Sequence, residues 1–174
     1  MSSIHGYLPA LKALAIAGSL INGGTMTSGY RLLPAVYPTV AKSAKDGAKQ
    51  WEYFYWSMSA TVPWVDLATI IAIGTIAYAE AKENRAGMAW KIWATAAGIM
   101  PIGWVWVRKV MQGPSDELLA IADATQASGE KEPLKNTSSQ KTLGLLQEFN
   151  AQMGFRMMLP WVVGGLALWA SLGF

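Results

Sequence analysis

The sequence predicts an all-α fold, an integral membrane four-helix bundle with a long polar and amphipathic loop between helices 3 and 4. Three observations lead there. Charged residues make up only 14% of the 174 residues, with 52% hydrophobic, against roughly 25% charged in an ordinary soluble domain. Four stretches are almost free of charge and long enough to cross a bilayer, which takes about 20 residues. Aromatic rings sit near the ends of these stretches, and Gly and Pro sit inside them.

The first stretch, Ala13 to Tyr30, has 18 residues and no charge. The second, Ser57 to Ala79, has 23 residues and one charge, Asp66. The third, Ile92 to Val107, has 16 uncharged residues and lengthens if Lys91 is tolerated. The fourth, Met157 to Phe174, has 18 and none. Backbone polar groups cannot stay unpaired in lipid, so each stretch is expected as a helix. The expected spans are residues 9–31, 57–80, 88–108 and 155–174 of one transmembrane domain, 1–174. Tyr7, Tyr30, Trp51, Trp56, Trp90 and Trp106 fall near the proposed ends, where amphipathic rings favour the interface. Gly18, Gly23, Pro63, Gly98, Pro101, Pro160 and Gly164 fall inside. In lipid, small residues let helices approach closely. A soluble protein with very apolar helices is the alternative. A cleaved signal peptide is a second alternative for the first stretch, but residues 1–11 hold no Lys or Arg.

The connections differ. The first, Arg31 to Trp51, is basic, with Arg31, Lys42, Lys45 and Lys49 against Asp46. The second, Glu80 to Trp90, is short and mixed. The third, the expected extramembrane loop of residues 109–150, includes Pro114-Ser115-Asp116-Glu117, which reads as a helix start capped by Ser115. Ser128 to Pro133 reads as a surface loop. Leu143, Leu146, Phe149 and Met153 then form an amphipathic run into the last span. Loops one and three hold nine positive residues and the second with its flanks holds three, which puts both termini on the non-cytoplasmic side. A glycan on the Asn136-Thr137-Ser138 sequon would reverse that orientation.

Composition also excludes. With no Cys and His5 as the single His, disulfide frameworks, thiolate chemistry and two-His metal sites within one chain are ruled out. No metal ligand set is expected. No Gly-rich phosphate loop appears, and a net charge of +3 without a basic stripe speaks against nucleic-acid binding.

Polar groups at membrane depth are costly and tend to be functional. Asp66 is the clearest. Trp56, Ser59, Pro63, Asp66 and Thr69 follow helical spacing on one face. A carboxylate desolvated there is either a proton acceptor or one half of a structural pair with Arg156, and both readings stay open. Arg156 could instead snorkel to phosphates. The second half of the first span is polar, and its Asn22 and Tyr30 are the side chains best placed to donate hydrogen bonds. Trp51, Trp56, Trp64, Trp104 and Trp106 either line a flat aromatic pocket or anchor the interface.

Four segments resemble the anthrone oxygenases, the four-helix membrane family also called DUF1772. They are Ser28-Gly29-Tyr30 with Pro34-Ala35-Val36, Trp51-Glu52-Tyr53-Phe54-Tyr55 with Pro63, Pro114-Ser115-Asp116-Glu117-Leu118-Leu119, and Phe149-Asn150 with Arg156 and Pro160. Asp116 departs from the usual Asn, and Met153 stands where a second Asn is common. The resemblance implies a cofactor-independent oxygenase in the membrane, of endoplasmic-reticulum type if the source is eukaryotic. Such an enzyme converts an anthrone and O2 to an anthraquinone in aromatic polyketide synthesis. It implies no cofactor, and as partners a flat aromatic polyketide, O2 and the lipid bilayer, with self-association left open. The catalytic residues expected are Asp66 as base, and Arg156, helped by Asn22 or Tyr30, as stabiliser of the enolate and peroxide. Trp51, Trp56, Trp64, Trp104, Ser59 and Asn150 are expected to line the substrate. The rival reading is a non-enzymatic tetraspan scaffold, carrier or transporter.

Overall fold

A computed structural model describes residues 3–127 and 137–172. The chain is all-helical, with no strand among the described residues. Helix α1 runs Ser3–Leu32, followed by a 3₁₀ turn, Leu33–Val36, and a short α2, Tyr37–Lys42. Helix α3 spans Ala44–Glu83 and α4 spans Ala89–Trp106. A π-turn, Val107–Met111, joins α4 to α5, Gln112–Ala127, and α6 runs Thr137–Ser171.

Local chemistry explains the breaks. Pro34 and Pro38 stand in the first turns of the 3₁₀ segment and α2, where a missing N–H costs nothing. Ser43 is extended (φ −154°, ψ 111°), and its Oγ accepts the Asp46 N–H at 3.3 Å, capping α3. Between α3 and α4 the Gly87 N–H donates to both the Asn84 side chain and the Asn84 carbonyl at 3.0 Å, closing a tight turn.

Two expectations need correction. Most of residues 109–150 is helix rather than loop. Ser115 caps nothing, because α5 continues from α4 without a break; its hydroxyl donates back to the Met111 carbonyl at 2.7 Å. The physical reason lies upstream of Pro114. A proline ring in a helix collides with the carbonyl four residues earlier, here Val110, and that residue sits in the wider π-turn. Likewise the basic first connection is mostly helical. Asn136 and the stretch Ser128 to Pro133 lie outside the described residues.

Two helices, Ala44–Glu83 and Ser139–Ser171, are long and apolar enough to cross a membrane. The expected second span, 57–80, lies within the first of these and the expected first span, 9–31, within α1; the expected third and fourth spans, 88–108 and 155–174, overlap the α4–π-turn run and α6.

The chain divides into two compact units, and each long helix contributes to both. Unit 1 holds Met1–Thr25, Thr61–Val105 and Met157–Phe174. Unit 2 holds Met26–Ala60 and Trp106–Arg156. In unit 1 the buried positions recur at alternating spacings of three and four, as a helix packed along one stripe requires. On α3, Val62, Asp66, Thr69, Ile73 and Ile76 form this stripe, with Ala72, Ala77 and Ala79 buried beside it; on α6, Val163, Ala167 and Ala170 do so. Glycines link α1 to α3 and α6, and α4 to α6. Gly18 of α1 abuts Thr69 of α3, Gly23 abuts Trp161 of α6, Gly164 abuts Leu20, and Gly103 of α4 faces Leu159. Small residues set these close approaches.

Unit 2 has an aromatic core. Trp51, Phe149, Met153, Leu146, Leu118 and Val40 are buried together. Trp51 stacks on Tyr55 at 5.0 Å and meets Phe149 edge-on at 5.3 Å. Lys141 and Glu117 pair at 2.8 Å on its surface.

Candidate functional site

The most polar point of the unit 1 interior is built from three helices. Asp66 lies on the buried stripe of α3 and is 5% exposed. Asn22, 2% exposed, projects from α1, and its Nδ2 donates to Asp66 Oδ1. Trp104 reaches in from α4, and its Nε1 donates to Asp66 Oδ2 at 3.1 Å. The second amide atom of Asn22, Oδ1, is buried and without a hydrogen-bond partner among the described residues.

The neighbouring hydroxyls do not join this cluster. Ser19 donates to Ala15 O at 2.8 Å and Thr69 donates to Val65 O at 2.7 Å, each within its own helix. Such back-bonding is the usual fate of a helical Ser or Thr in an apolar setting. Each carboxylate oxygen thus accepts from a neutral donor on a neighbouring helix. Both of these donors are neutral, and each helps to fix the direction of one oxygen, as a group that exchanges a proton requires.

Of the residues singled out in the sequence, Asp66, Asn22 and Trp104 are brought together. Trp64 belongs to the same unit but is 70% exposed. The others fall in unit 2. There Trp51 is fully buried in the aromatic core, Trp56 is 55% exposed and meets Tyr55 edge-on, and Ser59 is exposed. Tyr30 packs beside Gly154. Arg156, the last residue of unit 2, is half-buried.

Unit 2 also holds a pair that sequence reading missed. Tyr37 shares a side-chain hydrogen bond with Asn150. Burial pushes the Tyr37 hydroxyl above its ordinary pKa of 10.0, the Asn150 bond opposes this, and Tyr30 nearby adds to it. Asn150 Oδ1 is buried and without a partner among the described residues. Tyr37 stands between prolines in a segment that reads as a loop, so periodicity gave no sign of its burial.

No family model, curated protein or solved structure matches the chain.

Proposed function

We propose that the chain is an integral membrane four-helix protein, and that Asp66 is the proton acceptor of a cofactor-independent oxygenase acting on an anthrone-type substrate. One observation carries the reading: a buried carboxylate inside an apolar helical unit that accepts from neutral donors on two neighbouring helices. The membrane part is supported by two helices of crossing length. It is also supported by the apolar side chains that unit 1 leaves exposed, among them Ile21, Trp64, Ile71, Tyr78, Val105 and Trp169. Surfaces of that kind belong to lipid or a partner rather than to water.

The chemistry follows from the substrate class suggested by the resemblance. The central methylene of an anthrone is acidic because its conjugate base is a delocalised phenolate-like anion. Asp66 takes that proton. The anion passes one electron to O2, and the resulting radical and superoxide combine to form a C–O bond. The peroxide is protonated and loses water. One anthrone and one O2 thus give one anthraquinone and one water, with no external reductant. The Trp104 and Asn22 N–H groups hold the carboxylate in a fixed direction, so little reorganisation accompanies proton transfer.

The test is O2 uptake by the detergent-purified protein supplied with an anthrone. The wild type consumes O2, and Asp66→Asn lowers the rate by at least about tenfold with its melting transition retained, since a positioned base contributes about 10²-fold or more. Asp66→Glu restores part of it. Wild-type protein that leaves the anthrone oxidation rate unchanged, with Asp66→Asn only lowering stability, would show a structural scaffold instead.

A further inference from the structure

Unit 2 contains a cavity of about 270 Å³ beside the π-turn, lined by Tyr55, Val107, Arg108, Gln112, Ser115 and Asp116. Arg108, Gln112, Ser115 and Asp116 recur at helical spacing, so one face of the α4–α5 run supplies a guanidinium, an amide, a hydroxyl and a carboxylate. Tyr55 faces them from α3, its ring braced by the stack on buried Trp51. The Ser115 proton is committed to the Met111 carbonyl, so this hydroxyl presents an acceptor. Among the described residues, neither Arg108 nor Asp116 has an ion-pair or hydrogen-bond partner. Opposite charges that share a cavity without pairing are complementary to a ligand that carries both signs.

Size and position narrow the ligand. The volume falls below the roughly 300–1,000 Å³ of sites for drug-sized molecules, which disfavours a flat three-ring polycycle. The uncharged run Ile92 to Val107 ends in the cavity wall, and Arg108 and Lys109 follow at once. In a chain that spans a bilayer this is the headgroup level. π-turns also recur at functional sites.

We propose that this cavity binds the phosphate–ammonium zwitterion of a phospholipid headgroup. The phosphate sits on Arg108 and Gln112, and the ammonium sits between Asp116 and the face of Tyr55. Arg matches phosphate geometry through two parallel N–H bonds, and an aromatic face attracts a cation. The inference rests on the membrane reading above but not on the oxygenase chemistry.

The experiment compares a phosphoethanolamine lipid with a phosphoglycerol lipid of the same acyl chains. Retention of each on the detergent-purified chain is measured by native mass spectrometry. The wild type holds the phosphoethanolamine lipid about tenfold more tightly, the size expected of one charge-assisted contact. Asp116→Asn abolishes this preference. Arg108→Gln weakens both lipids by about tenfold, and Gln112→Ala weakens both by less. All three positions are exposed, and unchanged melting confirms the fold of each variant. Equal retention of the two lipids by the wild type, or a preference that survives Asp116→Asn, overturns the proposal. Soluble phosphoethanolamine displaces the lipid if the cavity reads the headgroup; a lipid held against saturating soluble headgroup places binding on the acyl chains and overturns it. Chain that stays soluble without detergent refutes the membrane reading separately. Calorimetry with soluble phosphoethanolamine then tests the cavity alone: binding that requires Arg108 and Asp116 sustains zwitterion recognition, and its absence rejects it.

Discussion

The two units are made from the same long helices, yet they are packed by different means. Unit 1 is close-packed through glycines and small apolar residues and hides one acid, Asp66. Unit 2 is packed through large aromatic rings, pairs Tyr37 with Asn150, and keeps its charges at a cavity and on its surface. The contrast sets two kinds of polar environment along one set of helices. A buried carboxylate in an apolar interior suits proton transfer on a lipophilic molecule. A mixed-charge cavity suits recognition of a polar one. Within unit 1, Val62, Asp66, Thr69, Ile73 and Ile76 of α3 share one helical stripe; within unit 2, Ala48 and Trp51 are buried three positions apart on the same helix.

The largest effects should come from the one feature the units share. Trp51 in unit 2 and Trp93 in unit 1 are both fully buried, and each has an indole N–H without a partner among the described residues. Replacing either with Ala should cost about 3–5 kcal/mol of stability, read as a drop in the midpoint of unfolding in detergent. If only one of the two destabilises, that unit alone governs the transition.

A smaller effect separates the packing modes. A Cβ at Gly18 would collide with Thr69 Oγ1, so Gly18→Ala should cost about 1–3 kcal/mol as overpacking. Removing the colliding hydroxyl in Gly18→Ala with Thr69→Ala should recover part of the loss. Gly24, where an added Cβ meets nothing within 4 Å, is the control: Gly24→Ala should leave stability unchanged or raise it by up to about 1 kcal/mol. Equal losses at both glycines would mean that glycine serves here through backbone freedom rather than close approach.

The architecture was legible in the sequence where one signal dominated. Charge-free runs predict the helices, but the face read as Trp56, Ser59, Pro63, Asp66 and Thr69 is split: Asp66 and Thr69 are buried, whereas Trp56, Ser59 and Pro63 are exposed. The partners of Asp66 were harder to read. Asn22 stands out as an amide among apolar residues, but nothing in the spacing of Trp104, thirty-eight positions beyond Asp66, says that its N–H turns inward. The third connection misled because Gly113-Pro114-Ser115 carries every mark of a helix start; only the π-turn, which has no sequence signature of its own, lets the helix pass. Tyr37 was hidden for a related reason. Its burial depends on residues more than a hundred positions away, and local pattern does not reach them.

The smallest effect belongs to that tyrosine. Its hydroxyl is raised above 10.0 in the folded chain, so the fold favours the neutral phenol. That contribution is fully present below pH 10.0 and is lost as the pH rises through the folded value. Unfolding measured along an alkaline series should show the wild type losing stability in this range, and Tyr37→Phe losing less. Identical slopes would place Tyr37 in solvent.

The central claim is that Asp66 removes a proton from a carbon acid, and the most direct measurement separates that step from oxidation. An anthrone is incubated with the purified protein in deuterated buffer without O2, and loss of the methylene proton signal is followed by NMR. The account predicts that the wild type accelerates exchange over buffer and that Asp66→Asn, folded to the same melting transition, does not. Exchange at the wild-type rate in Asp66→Asn would contradict it.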